Sequence, residues 1–276
     1  MDLPRFVANP ATGMEDIIEM LKKLLVMLLL VSLIAVASAC TYASQTTTTG
    51  TSVQLGNSQI LTGPVESQAV YALPAYAAEG SMSVEQALAG RRSRRNFQDR
   101  AISAEQLSQI LWAAYGITSP RPDAPNLRGG LRTTPSAGAL YPLEIYVIIG
   151  NVEGIEPGVF RYISEEHKLI RIADGDVRSE LSDAALGQRA VREAPASIFY
   201  SAVFSRMTTR YGERGIRYAY IELGHSAQNV YLQAEALGLG TVAIGAFNDS
   251  SVRQILNLPS YEEPLYIMPI GYSQID

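Results

Sequence analysis

The chain has 276 residues, 47% of them hydrophobic and 18% charged, which is enough for one sizeable folded domain and too apolar for a chain disordered throughout. Lys and Arg number 22 against 27 Asp and Glu, and the net charge of -5 offers no general attraction to nucleic acid. A single cysteine, Cys40, excludes an intramolecular disulfide; with only His167 and His225 beside it no zinc cluster is assigned, and counting alone leaves open only a carboxylate site for a hard cation.

Residues 20–40, MLKKLLVMLLLVSLIAVASAC, set Lys22 and Lys23 before an apolar run that closes in small residues at Cys40. This is the order of a bacterial export signal, and its end on the only cysteine resembles a lipoprotein signal, in which Cys40 would carry lipid as the first mature residue. Glu15, Asp16 and Glu19 precede the lysines, which makes Met20 a candidate initiator. The alternatives are a plain anchor or cleaved signal, because the apolar run is nearly long enough to span, and a buried helix. With the lysines inside, lipidation or anchoring leaves the body membrane-tethered and extracytoplasmic; the competing arrangement keeps it on the cytoplasmic side. We therefore divide the chain into an N-terminal extension and signal-like segment at 1–39, a Thr/Ser-rich tether with a possible arm at 40–80, and a folded domain at 81–276.

In the body, Ser83 with Gln86 and Ser103 with Gln106 have capping-box spacing, and each opens a predicted helix. PRPDAPNLRGGLRTTPS reads as loop. LEIYVIIG lacks polar alternation after Glu144 and is expected in the middle of a sheet. PGVFRYISEEHKLIRI reads as two strands about a turn at Glu165 and Glu166, RSELSDAALG as a short helix, and PASIFYSAVF as a strand. Helical spacing runs from about Arg217 to Leu237 and is stopped by Gly238 and Gly240. TVAIGAF is then a strand, SSVRQIL a helix opened by Asp249, and PLYIMPIGY the last strand. The sum is helices covering a mixed sheet. No GxGxxG follows the first strand and no GxxxxGK[ST] occurs, so a nucleotide-type cofactor would need another cradle.

Two stretches have the chemistry for one. GRRSRRNF places Arg91, Arg92, Arg94 and Arg95 around Ser93 directly after a helix, a donor set suited to phosphate or a flavin's polar edge; the bland reading is solvated surface. PSAGALYP gives Gly138 room for close backbone approach between Pro135 and Pro142, against the alternative of a rigid surface loop with a buried tyrosine. ALGLGTVAIGAFN, taken alone, is an ordinary helix stop followed by a core strand, and only the resemblance below gives it a part in the site.

With MPIGY at 268–272, these stretches stand in the order of the FMN-dependent nitroreductase family, which the chain resembles from about residue 83 to 272. PSAGALYP resembles in particular the branch of dehydrogenases and oxidases acting on peptide thiazolines and oxazolines. The resemblance implies an α+β fold with a central mixed, mainly antiparallel sheet covered by helices, and a homodimer holding each FMN between subunits. It assigns Arg91, Arg92, Ser93 and Arg95 to the flavin phosphate, ribityl chain and pyrimidine edge, with Arg94 pointing elsewhere. It lays Pro135, Ser136, Ala137 and Gly138 along the cofactor, with Tyr141 lining the pocket, and puts Ala243, Ile244, Gly245 and Ala246 at the ring face, where a backbone N–H near N5 stabilises arriving charge. Many relatives continue past the closing strand to a basic phosphate ligand; here phosphate binding would rely more on the first motif, or on Arg210, Arg214 or Arg217.

The implied function is hydride transfer through FMN between a donor, NAD(P)H in most relatives, and a small organic or peptide-derived substrate. NAD(P)H is scarce outside the cytoplasm, so an exported domain favours another donor or the oxidation of a small molecule or peptide. The alternatives are thiazoline or oxazoline dehydrogenation on a peptide and a lipid-tethered flavin-binding domain without turnover. No catalytic residue is assigned: Tyr141, Glu144, Tyr211 and Glu222 are all open as a base. His225 reads as a packing or interface residue, and Trp112 and Tyr115 as core or dimer seam.

Overall fold

The computed structural model describes residues 69–124 and 127–274; Cys40, the signal-like segment and the Thr/Ser-rich stretch lie outside the described residues. Among the described residues no helix is long and apolar enough to cross a membrane.

The apolar run before Gly150 forms β4 (Leu143–Ile149), whose residues are all buried. A strand apolar on both faces needs cover on both, and β4 holds the middle of a seven-stranded sheet. On one side follow β5 (Gly158–Ile163), β6 (Lys168–Asp174) and β1 (Val70–Ala72); on the other β7 (Ala196–Ala202), β9 (Glu263–Gly271) and β8 (Gly240–Thr241). These strands pair antiparallel, and parallel geometry enters only through the isolated bridges Ser93–Thr241 and Ile102–Val152.

Alternation along β4 sends Ile145, Val147 and Ile149 to one core, shared with α2 (Ala104–Tyr115) and α6 (Arg214–Ala236). Tyr146 and Ile148 enter the opposite core, with α3 (Arg178–Ala184), α4 (Arg189–Glu193) and α7 (Asp249–Ile255). Both predicted capping boxes form: Ser83 and Gln86 open α1 (Val84–Gly90), and Ser103 and Gln106 open α2.

Several local expectations change. The predicted loop after α2 contains a ribbon, β2 (Ile117–Pro120) against β3 (Gly130–Arg132). Gly130 adopts φ 149 with the Ser119 carbonyl 2.2 Å from where a Cβ would stand, so the ribbon closes only on glycine. An additional helix, α5 (Ser205–Tyr211), precedes α6. TVAIGAF is extended only briefly: after β8 it is held to β9 by the Ile244–Ile267 bridge. α7 is capped by Asn248, whose side chain accepts Ser251 N–H at 2.9 Å, with Asp249 in the first turn.

Of the stretch with the possible arm, residues 69–80 are described, and they pack on the chain's own body. β1 adds to the sheet edge, Ala77 N–H donates to Gln109 Oε1 at 2.8 Å, and Tyr76 stacks on Trp112 with ring centroids 4.3 Å apart. Ser108 Oγ donates to the Pro74 carbonyl at 2.6 Å and also meets His167 Nε2.

Because Ile148 is fully buried, Ile148→Ala should cost about 2–5 kcal/mol, whereas Ser103→Ala, which removes one cap, should cost about 1 kcal/mol. Urea unfolding of the two variants checks the order, and a cap variant as damaging as the core variant would contradict it.

Candidate active site

The arginine stretch leaves α1 at Gly90, where a Cβ would stand 2.5 Å from the Glu235 carboxylate. The chain then runs beside β8: Ser93 bridges Thr241, and Arg94 N–H donates to the Thr241 carbonyl at 2.9 Å. The stem of Arg94 lies against Gly240, where a side chain would collide with it. The guanidinium of Arg91 lies 5.4 Å from the Tyr231 ring centroid, and that of Arg92 turns back to the Ala89 and Arg91 carbonyls. Arg92, Ser93, Arg94, Arg95 and Asn96, with Gln274, surround a hollow of about 360 Å³. Arg94 thus shares this wall as well as packing on Gly240.

Tyr231 joins this stretch to the one after α6. Its hydroxyl lies 3.1 Å from Ser93 Oγ and accepts Ala243 N–H at 2.9 Å. Its place in the chain gives it only helical spacing, and no local signal marks it as this joint because its partners Ser93 and Ala243 lie 138 and 12 residues away.

The four residues expected at the ring face differ in what they can offer. Ala243 N–H is taken by Tyr231, and Ile244 exchanges both backbone bonds with Ile267 at 2.9 Å. Gly245 and Ala246 are exposed, and their N–H groups make no hydrogen bond among the described residues. Donation from the backbone therefore falls to Gly245 and Ala246, and Ala243 and Ile244 supply support.

The Pro135–Gly138 stretch forms a separate wall. Ser136 and Ala137 are half-buried and Pro135 and Gly138 exposed. A 3₁₀ turn over Ala137–Ala139 has Gly138 at φ 64, and two residues with side chains, Ala139 at φ 52 and Tyr141 at φ 47, share the left-handed region. Such geometry costs of order 1–3 kcal/mol per non-glycine residue and persists only where the surroundings impose it. Here Ser136 Oγ accepts Tyr141 N–H at 3.0 Å, Arg128 and Arg206 both donate to the Tyr141 carbonyl, and Asn229 holds Thr134 Oγ1 at 3.2 Å. A Cβ on Gly138 would stand 2.6 Å from the Tyr211 hydroxyl and 3.3 Å from an Arg210 nitrogen. Tyr211 in turn packs edge-on to Tyr218, with centroids 5.2 Å apart.

The open candidates for a base now separate. Tyr141 is 3% exposed and raised by burial. Burial pushes the Glu144 carboxyl up, but Arg128, Arg161 and Arg206 together outweigh it and hold the group below its ordinary value. Glu222 has only hydroxyl partners and more distant arginines, and burial pushes it up to about 7. Tyr211 alone is partly exposed beside Gly138. Tyr115 belongs to the core, His225 is exposed on α6, and among the described residues no group of His, Cys, Asp and Glu could hold a metal ion.

Both walls lie along α6: Tyr218, beside the Gly138 wall, precedes Tyr231, beside the arginine wall, by ~20 Å of helix at 1.5 Å per residue, and Asn229, near Tyr231, also reaches the Gly138 wall through Thr134. The first wall fits a flavin nucleotide through its guanidinium and hydroxyl donors, its hollow and its two free backbone N–H groups. The second fits through the exposed backbone of Gly138, with the Tyr211 hydroxyl beside it.

A profile described as the nitroreductase family matches residues 88–272. A nitroreductase-like protein of Methanocaldococcus jannaschii is 47% identical over 190 residues, covering 69% of this chain and 91% of that protein. The microcin B17-processing protein of Escherichia coli is 28% identical over 169 residues, 59% of this chain and 60% of that protein, so the chain spans less than two thirds of it. The crystal structure of a nitroreductase-like protein of Ralstonia eutropha superposes with TM-score 0.63 at 29% identity, over 76% of this chain and 92% of the other. Fold, motif order and these matches agree, and the chain belongs to the nitroreductase family of oxidoreductases.

Proposed function

We propose that this oxidoreductase binds FMN between two copies of the chain and passes a hydride from a donor such as NAD(P)H to a small organic or peptide-derived acceptor, or in the reverse sense oxidises such a substrate. The observation that carries the reading is the clustering of Arg92, Ser93 and Arg95 around one hollow, with Arg91 over the Tyr231 ring beside it, together with the free N–H groups of Gly245 and Ala246. When bound, FMN supplies hydride acceptance and donation at N5. Arg91, Arg92 and Arg95 neutralise the phosphate and polar edge, the N–H groups of Gly245 and Ala246 stabilise negative charge as it develops, and Pro135–Gly138 excludes water from the opposite side. Tyr211 is the group placed to exchange a proton with a reactant lying on Gly138.

Gly224 supports the two-copy arrangement. It is exposed near the middle of α6, no atom lies within 4 Å of where its Cβ would be, and Tyr220 and Ile221 beside it are 52% and 48% exposed. An exposed helix-interior glycine costs about 1 kcal/mol relative to alanine, and among the described residues nothing requires it. Close crossing of α6 with its copy does. Gly224 stands between Tyr218 and Tyr231, so an antiparallel crossing there carries the arginine wall of one copy toward the Gly138 wall of the other. The resemblance of PSAGALYP and the similarity to a microcin-processing protein support a peptide substrate, including a thiazoline or oxazoline ring, as the specific form of the acceptor or donor. The order of Lys22, Lys23, apolar run and Cys40 supports membrane tethering through lipid on the extracytoplasmic side, tested by the mass of the mature N-terminus.

Purified protein is expected to show flavin absorption and release stoichiometric FMN. Arg91→Ala/Arg95→Ala should weaken FMN binding at least roughly hundredfold, the loss of two charge-assisted contacts; retention of tight binding would remove the arginine assignment. Gly224→Arg should yield a monomer that has also lost FMN, measured by light scattering and absorbance together. A monomer still holding stoichiometric FMN would show that one chain suffices.

A further inference from the structure

Glu222 is 2% exposed on α6, beneath the Pro135–Gly138 wall. Its Oε1 accepts the Tyr115 hydroxyl at 2.5 Å; Oε2 is buried and has no hydrogen-bond partner among the described residues. The Ser136 hydroxyl stands near enough to favour the charged form, and its oxygen is the acceptor that fixes Tyr141 N–H in the left-handed turn. The groups facing Glu222 are Tyr115 from α2, Ser136 and Tyr141 from the loop, and Arg128 and Arg132 from and before β3. Neither arginine pairs with it. Arg132 lies over the Tyr115 and Tyr141 rings and is bonded to Ser164 and Glu165, while Arg128 is bonded to Glu144.

The contrast with Glu144 indicates more than a packing role. That carboxylate, 4% exposed, is matched by three arginines, so the fold has cations to hand and leaves Glu222 without one. An ionised carboxylate with a bare buried oxygen is costly, and a proton on Oε2 removes the cost. The proton also changes what the carboxyl offers Ser136: the ionised group only accepts, whereas the protonated group has a hydrogen to donate.

We propose that Glu222 is a proton-holding positioning residue, which couples its own protonation to the geometry of the Ser136–Gly138 loop and thereby to the loop's grip on the cofactor. The inference rests on the flavin reading above. Covering the loop with a ring and a second chain removes more water and brings a phosphate dianion into the neighbourhood, and both disfavour the ionised carboxyl. FMN binding then takes up a proton, and by linkage the affinity falls as pH rises through the titration of Glu222.

The test measures FMN affinity of the full chain at about pH 6 and about pH 8.5 for wild type, Glu222→Gln and Ser136→Ala, where each unit of coupled pKa shift corresponds to roughly a tenfold change. Wild type is expected to bind roughly tenfold more weakly at the higher pH. Glu222→Gln, which keeps the shape and cannot ionise, should bind equally at both and match wild type at the lower; Ser136→Ala should flatten the profile by cutting the link to the loop. A Glu222→Gln profile that follows wild type overturns the proposal, as does a Ser136→Ala profile that retains the full step. Infrared difference spectra of FMN-free protein between the same pH values give an independent readout: the carboxylic-acid carbonyl band lost on raising pH should vanish in Glu222→Gln. No such band in wild type also overturns the proposal. A wild type that shows the band and binds no FMN at either pH places the failure in the flavin reading and ends the coupling with it.

Discussion

The pairing of β4 with β7 is the constraint on which the rest depends. It runs in unbroken antiparallel register from Leu143–Ala202 to Ile149–Ala196, and every residue of both strands is buried. Two strands dry on both faces cannot exist without a layer on each side, so α2 and α6 on one face and α3, α4 and α7 on the other follow from them. The ladder also fixes the site. Val203 N–H returns to the Pro142 carbonyl at 2.8 Å, so the Ser136–Tyr141 turn enters β4 from a rigid end, and α5 leaves β7 beside it carrying Arg210 and Tyr211.

The site is economical in side-chain chemistry. No nucleophile or metal cluster is assembled among the described residues, and what the chain offers is guanidinium groups, two unspent backbone N–H groups and a glycine. That inventory suits the proposed reading, in which the chain binds and polarises a reactive group. Its two walls share α6 as a common spine, and the proposed crossing of two copies gives the exposed glycine in the middle of that helix a role.

Glu144 and Glu222 show how the surroundings divide one chemistry into two. Both carboxylates are almost fully buried, and burial pushes both upward. Three arginines reverse that push at Glu144 and lock the loop's far end as an ion network. At Glu222 hydroxyls offer less, so burial prevails and pushes the group up to about 7.

The sequence by itself determined the features that depend on near neighbours. Ser83 with Gln86 and Ser103 with Gln106 cap their helices because a capping box closes within one turn. The apolar run of β4 announced a central strand because two dry faces require that place. The order of RRSRRNF, PSAGALYP and the stretch after Gly238 disclosed the family, and with it the expectation of a flavin. Tertiary structure alone decided what partners are spent. Tyr231 became the joint between the first and third stretches, Ile244 lost its N–H to Ile267 while Gly245 and Ala246 kept theirs, residues 70–72 joined the sheet edge, and a presumed loop closed as the β2–β3 ribbon. Each of these bonds joins residues distant in the chain, and local composition reports which donors exist but not which remain free once the chain has folded on itself.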